Sequence, residues 1–401
     1  MVNRSAPSGA RRSGRPWALV LVATAATVAL PWESSSAPPS QFAQAGAAGV
    51  APASRPSQTG SAAEPLGVTA RARTNYYVDN DGNTVVTPLV TLEGALSERL
   101  SVAAHALVDV MTCASVDVVS SATPKGYFEE TRQEAGATVT FVRHLLQLSA
   151  GAVASSENDY GSLTASFGAA HEFAARNFTA ALGYAFTDST VGRADDWRFA
   201  ADLDSHAVTL TLTQVLSPRW IAQLALFGGA LSGFLSSPYR MVRLADGAHS
   251  EESTPSLRLR SAVVLQVRGA LSNRSFVAGS YRYYHDNWGI DGHTAEVSWT
   301  FVPRSWVELR LRNRFYIQDG AGFYRQVYHR PLRYMTADRE LSAFHGDLIG
   351  AKLAFPMGRL GPIAELELDI KSDVMWQWFA DFDALPMRRF LVTEVGFRVG
   401  F

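Results

Sequence analysis

The chain has 401 residues, 47% of them hydrophobic, and a formal net charge of −1. A balance so close to zero argues against a dedicated electrostatic nucleic-acid binder. Cys113 is the only cysteine, which rules out an internal disulfide and any cysteine cluster for a metal.

Residues 1–45 have the layout of an export signal. Arg11, Arg12 and Arg15 form a positive start, and Trp17 to Leu30 form an apolar core. That core is shorter than the about 20 apolar residues a spanning helix needs. Ala43-Gln44-Ala45 offers a small-residue cleavage site before Gly46. The Arg11-Arg12 pair lacks the neighbours expected of a folded-protein export signal. Residues 46–64 are rich in Ala, Ser, Pro and Gly and too poor in large apolar groups to repay ordering, so a periplasmic linker is expected there. No later apolar run is long enough for a membrane helix. Spanning β-strands escape that criterion, because their outward and inward residues alternate and average out.

From residue 65 onward the chain repeats with period two, the spacing of side chains on opposite faces of a strand. Val68, Ala70, Ala72, Thr74 and Tyr76 share one parity, with Arg71 and Arg73 on the other. Val102, Ala104, Ala106, Val108 and Val110 oppose His105 and Asp109, while Val208, Leu210 and Leu212 oppose threonines. Leu257, Leu259, Val263, Leu265 and Val267 oppose Arg258, Arg260 and Arg268. Val307, Leu309, Leu311, Phe315 and Ile317 oppose Glu308, Arg310, Arg312 and Arg314. Leu366, Leu368 and Ile370 oppose Glu365, Glu367, Asp369 and Lys371. At the C-terminus Leu391, Thr393, Val395, Phe397, Val399 and Phe401 face away from Glu394, Gly396, Arg398 and Gly400. A helical period accounts for none of these runs.

This pattern predicts strands near 66–78, 84–96, 100–111, 129–142, 145–156, 161–174, 177–187 and 204–216. The second half predicts 219–233, 255–270, 274–286, 291–302, 305–318, 341–355, 361–376 and 387–401. The connections alternate between short turns and generally longer loops, the longest at 112–128, 188–203, 234–254 and 319–340. Short turns at one end and long loops at the other imply an all-β fold. The expected architecture is a transmembrane antiparallel up-and-down β-barrel of about sixteen strands, with short periplasmic turns and longer extracellular loops. Phe178, Trp220, Phe301, Trp306 and Phe355 beside short turns, and Tyr76, Tyr77, Tyr281, Tyr283, Trp376 and Trp378 beside loops, suggest two aromatic girdles. The last strand, ending in Phe401, resembles the C-terminal signal that the barrel-assembly machinery recognises. The expected location is therefore the outer membrane of a Gram-negative bacterium, among its lipids.

Candidate pore-lining residues follow from the inward parity. Arg258, Arg260 and Arg268 with Arg310, Arg312 and Arg314 form basic rows; Glu365, Glu367, Asp369 and Glu394 form acidic ones. Such rows either set up a transverse field that tunes selectivity or pair across neighbouring strands as a structural network. No catalytic constellation emerges. Ser298 lies five residues beyond His293 and so on the opposite face of a regular strand, and His105, His171 and His206 are scattered. No glycine-rich phosphate loop or metal-ligand cluster is present, so no cofactor is expected. Asp79-Asn80-Asp81-Gly82-Asn83 has the composition of a hairpin turn and lacks the downstream glutamate of a calcium loop.

Four phrases carry a family resemblance: DVMTCASVDVVSSATP (109–124), SSPYRMV (236–242), YRYYHDNWGIDGHTAEVSW (281–299) and YMTADRELSAFHG (334–346). Together they resemble a family of uncharacterised predicted bacterial outer-membrane proteins, known only as a domain of unknown function. The first phrase departs from the family's usual Ser-Gly-Ala-Ser-Pro, having Thr112-Cys113-Ala114-Ser115-Val116 instead. The resemblance implies location and fold, and transfers no catalytic residue. Its motif residues Asp109, Arg240, Asp286, Trp288, His293, Asp338 and Arg339 are expected at the loop ends, as one polar cluster that binds a ligand or ties loops together. The expected function is a passive pore or channel for small solutes or ions. The alternatives are a non-conducting structural or assembly barrel and, with less support, an outer-membrane lipid hydrolase.

Overall fold

The computed structural model describes residues 67–113, 128–359, 361 and 363–401. The expected signal and linker, and most of the loop at 112–128, lie outside the described residues. In chain order the first strands are β1 (Val68–Asp79), β2 (Thr84–Ser97), β3 (Leu100–Cys113), β4 (Phe128–Arg143) and β5 (Leu146–Ser156). Next come β6 (Tyr160–Phe173), β7 (Phe178–Val191), β8 (Ala201–Ser217) and β9 (Trp220–Gly233), then two short loop strands, β10 (Met241–Leu244) and β11 (His249–Glu251). The second half holds β12 (Leu257–Ser272), β13 (Ser275–Asp286), β14 (Asp291–Arg304), β15 (Val307–Gln318) and the two-residue β16 (Val327–Tyr328). The last three are β17 (Phe344–Pro356), β18 (Glu365–Phe379) and β19 (Met387–Gly400).

Sixteen of these strands close into one barrel, and β10, β11 and β16 form a separate small sheet among the loops. Barrel neighbours are consecutive and antiparallel, and β1 completes the ring against β19 with Tyr76 opposite Thr393 and Ala70 opposite Val399. Closure leaves no edge strand, the condition for a sheet to cross hydrocarbon. The barrel strands run from 11 residues in β5 to 17 in β8, enough for a tilted crossing that needs about 9–11. Each predicted strand is present, with ends displaced by a few residues. β7 runs on to Val191 and β18 to Phe379, because ladder pairing continues there, with Val191 opposite Tyr160 and Ala201 and Phe379 opposite Phe344.

The predicted parity is the observed one. Val395 is 45% exposed on the outside while Phe390 and Val392, on the inward parity of the same strand, are buried. Leu163, Phe167, Leu265, Val297 and Ile349 add to a belt of exposed large apolar side chains around the barrel. So much apolar surface is untenable in water and suits lipid. Trp220 and Trp306 lie exposed beside short turns, and Tyr76, Tyr281 and Trp378 toward the loops. Tyr77 departs from the girdle expectation: it has the inward parity, is buried, and its hydroxyl donates to Asp79.

Local chemistry ends the strands at the short-turn end. Ser97, Ser217 and Ser272 each accept a hydrogen bond at Oγ from the backbone N–H two residues on, that of Arg99, Arg219 and Arg274. The register slips by one residue at each of these places. A serine hydroxyl thus stands in for the ladder partner that the reversal removes. Both ends of the barrel meet here, with the Phe401 N–H donating to the Val68 carbonyl at 2.9 Å.

The alternation makes a sharp prediction at the middle of β12. Leu265→Arg places a cation in lipid and should cost about 2–4 kcal/mol of unfolding free energy. Gln266→Arg, one residue away on the inner face, should cost far less. Urea unfolding in lipid vesicles measures both; equal losses would contradict the assigned faces.

Candidate functional site: the charged inner wall and its loop cap

The inner wall has two characters. Strands β6 to β8 present small groups such as Thr164, Ser166, Ala185, Thr187, Ser205 and Ala207, which are buried. The opposite arc, β12 to β19 and on through β1 to β4, presents charge. Arg258, Arg260 and Arg268, Arg310, Arg312 and Arg314, Glu365, Glu367 and Asp369, and Glu394 all have the inward parity of their strands.

The basic and acidic rows do not face each other across the lumen. Only β17 separates β15 from β18, so their charges meet sideways. Arg312 Nη2 lies 2.6 Å from Asp373, Arg314 Nε 2.8 Å from Glu296, and Lys352 Nζ 3.3 Å from Asp369. Arg73 reaches Glu394 at 3.5 Å and Arg398 reaches Glu365 at 2.9 Å. Gly350 explains how Arg312 crosses β17: a Cβ there would collide with the Asp373 carboxylate and crowd the arginine stem. Arg310 is less engaged. Half its side chain is exposed, with Glu308 at 3.7 Å and Thr300 as its partners.

At the long-loop end two loops, 234–256 and 319–343, join into a cap. β10 pairs in parallel with β16, and Ser253 and Met335 exchange backbone hydrogen bonds. Between the two loops the buried Glu252 accepts from the Thr336 hydroxyl and from Arg240, whose Nη1 also lies 3.0 Å from Asp338. The second loop then turns into the barrel. A short 3-10 turn, Arg339–Leu341, is capped by the Asp338 carboxylate accepting from the Glu340 N–H. Glu340 takes a 2.7 Å bond from Arg388, and Gln318 donates to the Ser342 carbonyl at 2.8 Å. Arg388 and Gln318 are inward-facing barrel residues, so this turn sits within the mouth.

Four contacts spaced around the rim fasten the cap. Arg339 forms a buried pair with Asp81 in the β1–β2 turn. The Tyr239 hydroxyl donates to Asp159 in the β5–β6 turn. The Gly322 N–H donates to the Trp288 carbonyl in the β13–β14 turn, and the Tyr324 hydroxyl to the Asp381 carbonyl beyond β18. Beneath it Val191, Leu203, Leu231, Trp288, Ile290 and Tyr324 form an apolar cluster from four barrel elements and the loop. The cap therefore crosses the mouth from side to side.

The seven motif residues divide under this geometry. Arg240, Asp338 and Arg339 belong to the cap itself. Asp286 holds the adjoining turn, accepting from the Trp288 and Ile290 N–H groups and from Arg258, whose guanidinium lies 4.4 Å from the Trp288 ring. Asp109 lies apart on the inner wall with Arg132 at 3.3 Å. His293 lies on the outer face, its ring nitrogen 2.7 Å from the Tyr281 hydroxyl. His293 and His285 point outward while Ser298 points inward, so no nucleophile–base pair forms there. His206 is likewise outside, against Tyr184, whereas His105 is inside against Glu134. Among the described residues no group of three or more His, Cys, Asp or Glu is placed to hold a metal ion.

Glu252, Glu340 and Arg388 carry much of the cap's anchoring and were not singled out from sequence, while Asp79 and Asp81 were read only as part of a hairpin turn. Arg388 had a signal, since it shares the inward parity of Glu394. Glu252 is fixed by a contact between two loops, through Thr336, and Glu340 by one between loop and barrel, through Arg388.

Burial pushes the Glu252 carboxyl above its ordinary range, against the pull of Arg240 and with the Asp338 charge adding to the rise. Its hydrogen bonds from Thr336 and the Ser237 N–H act in the lowering direction. Between the ordinary value, about 4.3, and the raised one the native cap binds a proton that the unfolded loop has released, so the cap loses stability as pH rises through that window. Hydrogen exchange in 236–254 and 327–338, corrected for intrinsic rates, should accelerate across that window, and Glu252→Gln should flatten the profile.

No curated protein matches this sequence. Among solved structures, a bacterial polysaccharide outer-membrane secretin aligns at 10% identity and TM-score 0.46, covering 83% of this chain and 97% of that one. A loop L8 deletion mutant of OmpT, an outer-membrane protein of Vibrio cholerae, aligns at 8% identity and TM-score 0.44, covering 84% and 99%. OpdK of Pseudomonas aeruginosa, solved with vanillate, aligns at 9% identity and TM-score 0.43, again covering 84% and 99%. Residues 115–363, more than half of the chain, match the family described as protein of unknown function (DUF3570), and the chain belongs to that family.

Proposed function

We propose that this protein is an outer-membrane channel for small solutes or ions, narrowed at its extracellular mouth by the cap. The observation that carries this reading is a charged inner wall, partly exposed at the short-turn end, beneath an interlocked mouth. Sixteen strands enclose more space than inward side chains alone fill, and at the short-turn end Arg310, Arg73 and Glu365 keep substantial exposure on the inner face. Charged groups remain there because water reaches them. The pore-lining role falls to these residues and to Arg258, Arg260, Arg268, Arg312, Arg314, Glu367, Asp369 and Glu394. Since the charges are laterally paired, selectivity follows the local surplus of one sign rather than a transverse field.

In the same proposal residues 1–45 direct export and are removed, 46–64 form the periplasmic linker, and Phe401 is the residue the barrel-assembly machinery engages. The protein acts on no substrate covalently and uses no cofactor. One observation favours a second reading. Buried ion pairs such as Arg339–Asp81 hold the mouth at several points at once, as a non-conducting barrel that presents its loops to envelope partners would require.

Conductance decides between the two. Purified protein in a planar bilayer should give discrete steps. Arg339→Ala removes the buried pair with Asp81 that ties the cap to the β1–β2 turn, and should raise open probability or step size. A correctly folded barrel that stays silent both with and without the cap anchor would reject the channel and favour the second reading.

A further inference from the structure

The inner wall just below the cap holds more guanidinium groups than carboxylates. Arg258 and Arg260 project from β12, Arg282 from β13 and Arg314 from β15. The carboxylates on these strands and on β14 at this level are already committed. Asp286 takes two bonds from Arg258, one from the Tyr284 hydroxyl and two from backbone N–H groups. Glu296 receives Arg314 Nε at 2.8 Å and faces Arg312 at 3.9 Å.

Among the described residues Arg282 has no such partner. It is 9% exposed, and its Nε is buried without an acceptor. Its guanidinium lies 5.0 Å from the centre of the Tyr284 ring. Arg314 shares the deficit at one position, since its Nη2 is also buried without an acceptor. The charges nearest Arg282 do not neutralise it: Arg314 and Arg260 are both close enough to oppose it. The register keeps these groups together. Arg282 stands opposite Thr294 on β14, and Thr294 stands opposite Tyr316 on β15, one inward position from Arg314.

A desolvated guanidinium without an anion is strongly unfavourable, and removing such a cation from water is not repaid by an aromatic face alone. Arginine forks match the planar or tetrahedral oxygens of carboxylate and phosphate groups. We propose that Arg282 and Arg314, with Arg260 beside them, form a binding site for a small oxyanion, a carboxylate or phosphate group, on the inner wall between β13 and β15. The proposal deepens the channel reading and rests on it for the route by which a solute reaches the site. The oxyanion supplies the acceptors that Arg282 Nε and Arg314 Nη2 lack, and the cap overhead limits its exchange with bulk water.

The test uses the full chain folded in detergent at constant ionic strength, titrated calorimetrically with sodium phosphate and, separately, sodium acetate against a sodium chloride control. Saturable binding of at least one oxyanion is expected, with chloride giving none. Arg282→Met should weaken it by about tenfold to a hundredfold, the loss of a charged hydrogen bond. Arg71→Gln, which alters an inward arginine paired with Glu93 at the short-turn end, should leave it unchanged. Should Arg282→Met fail to fold, Arg314→Met serves as the second variant with the same expectation. Phosphate binding without acetate binding, or the reverse, supports the site and tells which oxyanion it takes. No saturable binding of either, or binding that Arg282→Met and Arg314→Met leave intact, overturns it. Conductance measured on the same preparation separates the two claims. Saturable binding in a silent barrel upholds the site and rejects the channel, while conductance without binding rejects the site alone.

Discussion

Hydrocarbon offers no hydrogen-bond partners, so every backbone N–H and C=O of a spanning sheet must find one within the protein. The seam between β1 and β19 meets that demand at the one place where a sequential meander would end in two open edges. Once the ring is shut, the two faces of every strand acquire different solvents. Leu265 and Val395 then belong to lipid, and their neighbours Gln266 and Glu394 to the lumen.

The lumen imposes a second requirement, since charges gathered on one arc of wall must be hydrated or paired. This protein does both, by level, with Arg282 the exception. Near the short turns Arg310 keeps half its side chain exposed. Nearer the loops Arg312, Arg314, Asp373 and Arg388 are locked into pairs across neighbouring strands or with the cap. A missing side chain makes one of these locks possible: without a Cβ at Gly350, Arg312 passes over β17 to reach Asp373. The wall near the cap is also less polar than alternation alone implied, because Tyr77, Leu348, Met375 and Phe390 form an apolar patch on the inner face. Such a patch suits a region roofed by loops and shut off from bulk water.

Much of the barrel was legible in the chain. Period-two alternation is a local property, and it marked all sixteen strands, their faces and the inward position of each arginine and glutamate in the rows. Turn chemistry at Asp79–Asn83 was legible for the same reason, with Gly82 taking the positive φ of 85°. The cap was not. Its pairs join Asp81 to Arg339, residues 258 positions apart, and Glu340 to Arg388, and no periodicity encodes such contacts. Of the motif residues, Arg240, Asp338 and Arg339 share a loop junction. His293 lies on the outer face instead, because sequence proximity to a loop does not decide which side of the wall a side chain takes. Arg282 lies within the 281–299 motif, but its buried Nε is set by three adjacent strands at once, which no single stretch of sequence encodes.

The most direct test places a probe on each side of the wall at the same height. With Cys113 replaced by serine, Val395→Cys and Glu394→Cys are labelled with an environment-sensitive fluorophore in lipid vesicles. A greasy exterior and a wet interior predict quenching of the first by lipid-borne nitroxide and of the second by aqueous iodide. The reverse assignment, or equal access of both sites to iodide, would contradict the inside–outside division of the barrel.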